Sequence, residues 1–323
     1  MNREEAIQRI NVLSKKEVPF LLITNFKCDN NIVIPLADVD PNKILFEVNG
    51  NKNFINAKGE KSNSTLNRKS VSFKKYKTAF DEVHQEITAG NTYLLNLTFP
   101  TEIESVNSLK TIFHLSKAKY KLWLKDQFVV FSPETFIRIK SNKISSYPMK
   151  GTIDANLSGA KDSILSNEKE MAEHSTIVDL IRNDMSIYAD NVTVEKFRYI
   201  DEIKTNEKHL LQVSSKITGK VDVKAQDNLG EVIYSLLPAG SISGAPKKKT
   251  LEIIDKVENY DRGFYTGIFG IFDGKNFDSG VMIRFIENND GQLMYKSGGG
   301  IHFLSDAKAE YQEMIDKVYV PIY

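Results

Sequence analysis

The spacing of the short apolar runs restricts this chain more than any other feature. Runs at 269–272, 280–286 and 292–295 follow one another across gaps of a few residues, and those at 128–131, 136–140 and 143–147 do the same. Two parallel strands need a crossover of about a dozen residues or more. Gaps this short therefore predict antiparallel neighbours. Helical patterns stand singly between the clusters. Residues 74–88 carry Tyr76, Phe80, Val83 and Ile87 at three-to-four spacing, and further helices are predicted over 1–17, 167–182, 228–237, 247–258 and 306–318. Clustered strands with interspersed helices predict an α+β fold.

Smaller signals fill in the outline. The run 19–24 reads as a buried strand, and 92–99, 192–199 and 210–218 read as further strands. Ser166 and Ser305 are candidate N-caps for the helices that follow them. Met171, Val178 and Ile181 are expected on one face of the first of these. The Asn- and Lys-rich stretch 49–72 reads as a loop or a weak helix start. No internal repeat or long linker divides residues 1–323, so a single domain is expected.

Composition excludes several classes. With 41% hydrophobic and 26% charged residues, the chain can bury a core and is not a disordered one. Its 43 Lys and Arg against 42 Asp and Glu give no charge excess that would suit nucleic acid or a membrane surface. Cys28 is the single cysteine, which rules out an internal disulfide or a cysteine-rich metal site. The start Met1-Asn2-Arg3-Glu4-Glu5 has no apolar stretch behind its basic residue, and no apolar run reaches membrane-spanning length. A cytoplasmic location is the expectation.

Several segments could carry chemistry. The Gly/Pro/Ser-rich stretch 238–247 opens a helix but lacks the Gly-Lys-Ser/Thr order of a phosphate-binding loop, so a structural turn is the plainer reading. Lys296-Ser297-Gly298-Gly299-Gly300-Ile301 follows a strand, and its glycines allow backbone N–H groups close to an anion; a flexible strand exit is the alternative. Glu170 and Glu173 are three apart on one predicted helix, as are Glu310 and Glu313 on another, with Lys317 a turn later. Two helices offering carboxylates can hold Mg²⁺, which takes few protein ligands and keeps its waters, or can simply present solvated acidic faces. Lys150, between a strand and a glycine, becomes a nucleophile only if desolvation lowers its pKa. Arg284, inside an apolar run, needs an anionic partner from the protein or from a ligand. His209 begins a strand-like run and has no metal-ligand spacing with the other histidines.

Taken together these segments resemble the chorismate-utilising enzymes, a family that includes anthranilate, aminodeoxychorismate, isochorismate and salicylate synthases. The resemblance rests on ordered blocks from about residue 73 to 318. They include Ser132-Pro133-Glu134, Pro148-Met149-Lys150-Gly151-Thr152, Glu173-His174, Asp179-Leu180-Ile181-Arg182-Asn183-Asp184, His209-Leu210, the stretch 238–247, Arg262-Gly263-Phe264-Tyr265-Thr266-Gly267, Ile283-Arg284, Gly298-Gly299-Gly300-Ile301 and Glu310-Tyr311-Gln312-Glu313. It implies two large packed antiparallel sheets with helices outside and an active site in a deep cleft. It implies Mg²⁺ on Glu173 and Glu313, with Glu170 and Glu310 as second carboxylates acting through water. Gly151, Thr152, Tyr265, Arg284, Gly298, Gly299, Gly300 and Lys317 would bind chorismate.

Within the family, Lys150 points to the aminodeoxychorismate branch, because anthranilate synthases carry alanine there. Leu94 and Leu95 stand where the isochorismate and salicylate branch has a lysine base nearby. The implied route has Lys150 as nucleophile, Glu134 as general acid and then base, and His209 in a secondary role. Ammonia would come from a separate glutamine amidotransferase subunit. Residues 1–72 would be the remnant of a longer N-terminal half, so no tryptophan feedback is expected. Leu94, in place of the usual glutamine, and Ser241, in place of threonine, depart from the pattern. Anthranilate synthase, a catalytically idle chorismate-binding subunit, and an α+β domain with purely structural glycine turns are the rival readings.

Overall fold

A computed structural model describes residues 1–55, 66–204, 209–221 and 227–321. Two nine-stranded sheets form the body, and every strand pairing is antiparallel. In the first sheet, Ala189–Lys204 lies along one edge of His209–Val221. Met149–Asp154 and Lys143–Ser146 share its other edge end to end. Thr135–Lys140, Phe277–Val281, Ile268–Phe272, Phe20–Thr24 and Asn31–Pro35 complete it in that order. The second sheet runs from Leu94–Glu104 through Gln292–His302, Phe285–Asn289, Phe128–Ser132 and Tyr120–Leu124 to Ile44–Val48 and the short Asn51–Lys52. Gly244–Ala245 and Asn67–Lys69 pair the outer edge of Leu94–Glu104.

Strand alternation decides which core each side chain enters. Leu21 and Ile23 meet Phe46, Leu122, Val130 and Phe285 between the sheets. Phe20 and Leu22 point the other way, into the larger core beneath the helices, with Ile10, Phe80, Val83 and Ile254. Val129, Phe131 and Trp123 cover the outer face of the second sheet under Leu109–Leu115. Strand Phe20–Thr24 is therefore buried on both faces and reads as a continuous apolar run. Residues 1–52 supply strands to both sheets.

Several local expectations change. The run 280–286 is not one strand. Phe277–Val281 belongs to the first sheet and Phe285–Asn289 to the second, and Met282-Ile283-Arg284 carries the chain across between them. Arg284 takes a left-handed φ of 55° there, and Ile283 packs against both cores. A continuous apolar run thus hides a change of sheet. The glycine triplet is not a strand exit, because Gln292–His302 continues through it.

The long helix is Glu168–Met185 and is capped by Asn167, whose side chain accepts from the Glu170 N–H. Ser166 instead ends the preceding helix, Ala160–Ser166. Met171 is exposed; the inward face is Glu173, His174, Ile177, Val178 and Met185. The last helix, Ala307–Asp316, is capped by Asp306 rather than Ser305. The stretch 49–72 contributes two short strands, and its residues 56–65 lie outside the described residues. Helix Leu109–Leu115 and strand Tyr120–Leu124 are further elements, beyond those the sequence pattern predicts. No helix among the described residues is long and apolar enough to cross a membrane.

Candidate active site

A cavity of about 720 Å³ opens between the two sheets and the helices Glu168–Met185 and Ala307–Asp316. One wall is the glycine strand. Its inner neighbour Phe285–Asn289 stops opposite Lys296, so beyond that residue only Leu94–Glu104 pairs with it. Lys317 Nζ donates to the Gly298 carbonyl from the unpaired side, at 2.9 Å. Opposite, the Thr98 N–H donates to Glu258 and the Asn96 carbonyl accepts from Arg262, so both turn away from the glycine strand. Thr98 and Asn96 face Gly298 and Gly300 in register. A strand residue points its N–H and C=O to one side and its neighbours point theirs to the other. The N–H groups of Gly298 and Gly300 therefore face the open edge, where an anion can take them. Space demands glycine at 300 as well: a Cβ there would lie 2.9 Å from Lys150 Nζ and 3.1 Å from Glu173 Oε2.

The charges gather against the glycine strand. Lys150 sits on Met149–Asp154 next to a bulge at Gly151, whose φ is +77°. Its Nζ lies 3.2 Å from Glu173 Oε2. Lys169 bridges the two acidic helices, touching Glu310 and, at 3.9 Å, Glu173. Lys317 pairs with Glu313 at 2.6 Å. Glu173 and Glu310 are buried. Desolvation alone would lower the pKa of Lys150, and the site adds an opposing influence. Burial lowers it, but the carboxylates of Glu173, Glu313 and Glu170 outweigh burial and hold the Lys150 ammonium above the usual lysine range. Burial and the neighbouring Glu173 push the Glu170 carboxyl up. Glu313 is brought down to about 2: burial opposes this, and Lys317, Lys150 and Lys169 overcome it.

The donor set suits a hard cation. Three carboxylates crowd the glycine strand: a Cβ at Gly299 would lie 3.5 Å from Glu310 Oε2 and 3.6 Å from Glu313 Oε1, and one at Gly300 3.1 Å from Glu173 Oε2, while Glu170 lies against Gly151. Lysine ammonium groups lie against three of them, which marks the demand for positive charge. Among the described residues no three or more His, Cys, Asp or Glu side chains converge into a ready-made metal cage. The arrangement accordingly fits Mg²⁺, which takes one or two carboxylates and keeps waters, better than it fits a fully protein-ligated ion.

Glu134 lies across the cavity in the turn between Phe128–Ser132 and Thr135–Lys140. Burial pushes its carboxyl up, although Ser241 donates to it and Lys150, Arg284 and Lys317 contribute positive charge. Such a carboxyl is suited to giving up a proton. Tyr265, Thr152 and Arg284 also line the cavity. Among the described residues Arg284 has no carboxylate within ion-pair distance, and its buried Nε has no hydrogen-bond partner.

His209 is not brought to this site. It begins strand His209–Val221, partly exposed and 3.3 Å from Glu202, and is absent from the cavity wall. The structure adds Glu258, which the sequence did not flag, and gives contacts to Ser241 and Arg262, which it named without a role. Ser241 holds Glu134, from a short helix whose following Gly244 has no room for a Cβ against the Leu94 carbonyl. Arg262 and Glu258 form a fork-to-fork pair, each 2% exposed. Arg262 also donates to the Ile242 and Asn96 carbonyls, joining three segments of the wall. The i, i+4 spacing of Glu258 and Arg262 was a visible signal, but it reads as an ordinary surface pair.

Fold and site together define an enzyme cleft for a small, carboxylate-bearing ligand. A profile of chorismate binding enzymes matches residues 37–322. The chain belongs to the chorismate binding enzyme family. It is 48% identical to an uncharacterized PabA-like protein of Haemophilus influenzae, over 98% of this chain and 96% of that one. Aminodeoxychorismate synthase component 1 of Bacillus subtilis is 30% identical over 76% of this chain and 54% of its own length. Among solved structures, the menaquinone-specific isochorismate synthase of Escherichia coli superposes with a TM-score of 0.74 at 13% identity, covering 97% of this chain and 80% of that one. Anthranilate synthase component I of Streptococcus pneumoniae gives 0.66 at 24% identity, over 80% and 59%. At those identities the structures establish the shared fold.

Proposed function

We propose that this protein is the synthase component of aminodeoxychorismate formation, converting chorismate and ammonia to 4-amino-4-deoxychorismate. The observation that carries the reading is Lys150 in the cavity wall, beside Glu173 and the glycine strand and sharing the cavity with Glu134, whose pKa burial raises. The N–H groups of Gly298 and Gly300, with Arg284 and Lys317, receive the substrate's two carboxylates. Glu173 and Glu313 hold Mg²⁺, with Glu170 and Glu310 behind them; when bound, the ion supplies positive charge for the ring carboxylate.

To act as a nucleophile Lys150 gives up a proton to solvent; burial favours that loss, and a cation held by Glu173 and Glu313 would offset the carboxylates that oppose it. The Lys150 amine then attacks C2 of the ring, both ring double bonds shift, and the C4 hydroxyl leaves as water with the Glu134 proton. Ammonia adds at C4, both double bonds shift back, the Lys150 amine is expelled from C2, and Glu134 takes back a proton from the added ammonia. His209 has no part in these steps. Ammonia is delivered by a separate glutamine amidotransferase.

Chorismate, ammonium and Mg²⁺ are incubated with the protein and the products separated by mass and chromatography. Mg²⁺-dependent 4-amino-4-deoxychorismate is the expected product, with a Lys150 adduct trapped when ammonium is withheld. Anthranilate as the product would move the protein to the anthranilate branch. No turnover, even with an added glutaminase subunit, would favour an idle chorismate-binding subunit.

A further inference from the structure

Arg284 raises a physical problem that the catalytic groups do not answer. A cation in a cavity wall ordinarily has a carboxylate partner. Arg284 has none within ion-pair distance among the described residues, and its Nε is buried without a hydrogen-bond partner. The backbone there is already committed to the crossing between sheets, at φ 55°. What the protein sets against the guanidinium is the Tyr319 side chain: Arg284 Cζ lies 5.3 Å from the centroid of its ring, and the Tyr319 hydroxyl adds a polar interaction with Arg284.

Tyr319 comes from the segment after the last helix, and that segment is pinned. Tyr295 Oη donates to the Tyr319 carbonyl at 2.9 Å. The Lys117 N–H donates to the Pro321 carbonyl at 2.9 Å, and Arg68 Nη1 to the Ile315 carbonyl at 3.0 Å. Val318 and Val320 both pack into the core on the outer face of the second sheet. Tyr319, between these two residues, instead lines the cavity while 45% exposed. A large ring left this open, on a firmly held segment, is placed for contact with the guanidinium.

We infer that Tyr319 is a positioning residue that orients Arg284 for a ligand carboxylate without neutralising it. A carboxylate at 319 would orient the guanidinium equally well, but it would cancel the charge the ligand needs and repel the ligand's own carboxylate. The negative face of an aromatic ring attracts a guanidinium and carries no net charge. The identity of the ligand rests on the chorismate reading above; the stacking does not.

The test is calorimetric titration of chorismate, with Mg²⁺ present, into the whole protein and into Y319F, Y319L, Y319D and R284M. Y319F keeps the ring but loses the hydroxyl's interaction with Arg284, and binds more tightly than Y319L. Y319L binds roughly two- to thirty-fold more weakly than the natural protein. Y319D binds more weakly than Y319L, with the difference shrinking as salt is raised, a charge effect that a merely structural role for the side chain does not produce. R284M loses the most affinity. Circular dichroism of each variant establishes that it is folded, and Y319F against Y319D decides the matter if Y319L is not. Loss of affinity in R284M with Y319L binding like the natural protein would overturn the inference and leave the chorismate reading standing. No binding of chorismate by the natural protein would overturn both.

Discussion

At Glu134, burial sets the protonation state and so ties catalysis to stability. Its pKa is raised above the ordinary value of 4.5, so the folded state holds this proton more tightly than the unfolded chain does. Below 4.5 both states are protonated and the residue costs nothing; as pH rises above that value, keeping Glu134 folded and ionised costs stability. Glutamine has no charge to desolvate. E134Q is therefore expected to melt at a higher temperature than the natural protein at neutral pH and at the same temperature near pH 4. In thermal melts across pH, a lower melting temperature for E134Q at neutral pH would contradict this. If Glu134 is the general acid, the same variant loses about 10²- to 10⁴-fold in rate, and the natural protein's rate falls as pH climbs through the raised pKa. Glu134 was legible in the sequence as part of a family block. Its partner Ser241 was noted only as a minor departure, because 107 residues separate the two and only folding brings them together.

At the scale of elements, the wall around Tyr265 is held by a buried ion pair. Arg262 bonds Glu258 through two nitrogens and also serves the Ile242 and Asn96 carbonyls, so one guanidinium fastens the glycine-facing strand, the Ser241 helix and the Tyr265 turn. R262M leaves the Glu258 carboxylate buried without its cation, which costs about 3–5 kcal/mol. Urea unfolding should show that loss, and the double variant E258Q/R262M should recover part of it by removing the orphaned charge. Equal destabilisation of the single and double variants would mean that the guanidinium's carbonyl contacts, not the ion pair, carry the stability. The helices were legible from their three-to-four spacing, but helix Glu168–Met185 turns Glu173 and His174 inward and leaves Met171 in solvent. Apolar periodicity identifies a buried face only when that face is apolar, and here it roofs a charged cavity.

At the scale of the molecule, the two sheets are interwoven and neither is a separate unit. Phe20–Thr24 lies between Ile268–Phe272 and Asn31–Pro35, although some 245 residues of sequence separate it from the first of these. Burying Phe20, Leu21, Leu22 and Ile23 contributes roughly 6–12 kcal/mol at about 1.5–3 kcal/mol each, comparable to a whole domain's net stability of about 5–15 kcal/mol. Deleting residues 1–35 should therefore abolish folding, seen as loss of a cooperative melt; a cooperative melt in the deleted chain would show the sheet can close without that strand. The antiparallel character, most helices and the residues of the glycine, lysine and glutamate blocks were determined by the sequence itself, because short gaps, periodicity and motif order are local properties. Tertiary structure alone decided the rest. It split the run 280–286 between two sheets, left His209 outside the cavity, surrounded Lys150 with carboxylates that keep its proton, and set Tyr319 against Arg284. Each of these depends on which distant groups share a small, poorly solvated space, and chain spacing does not encode that.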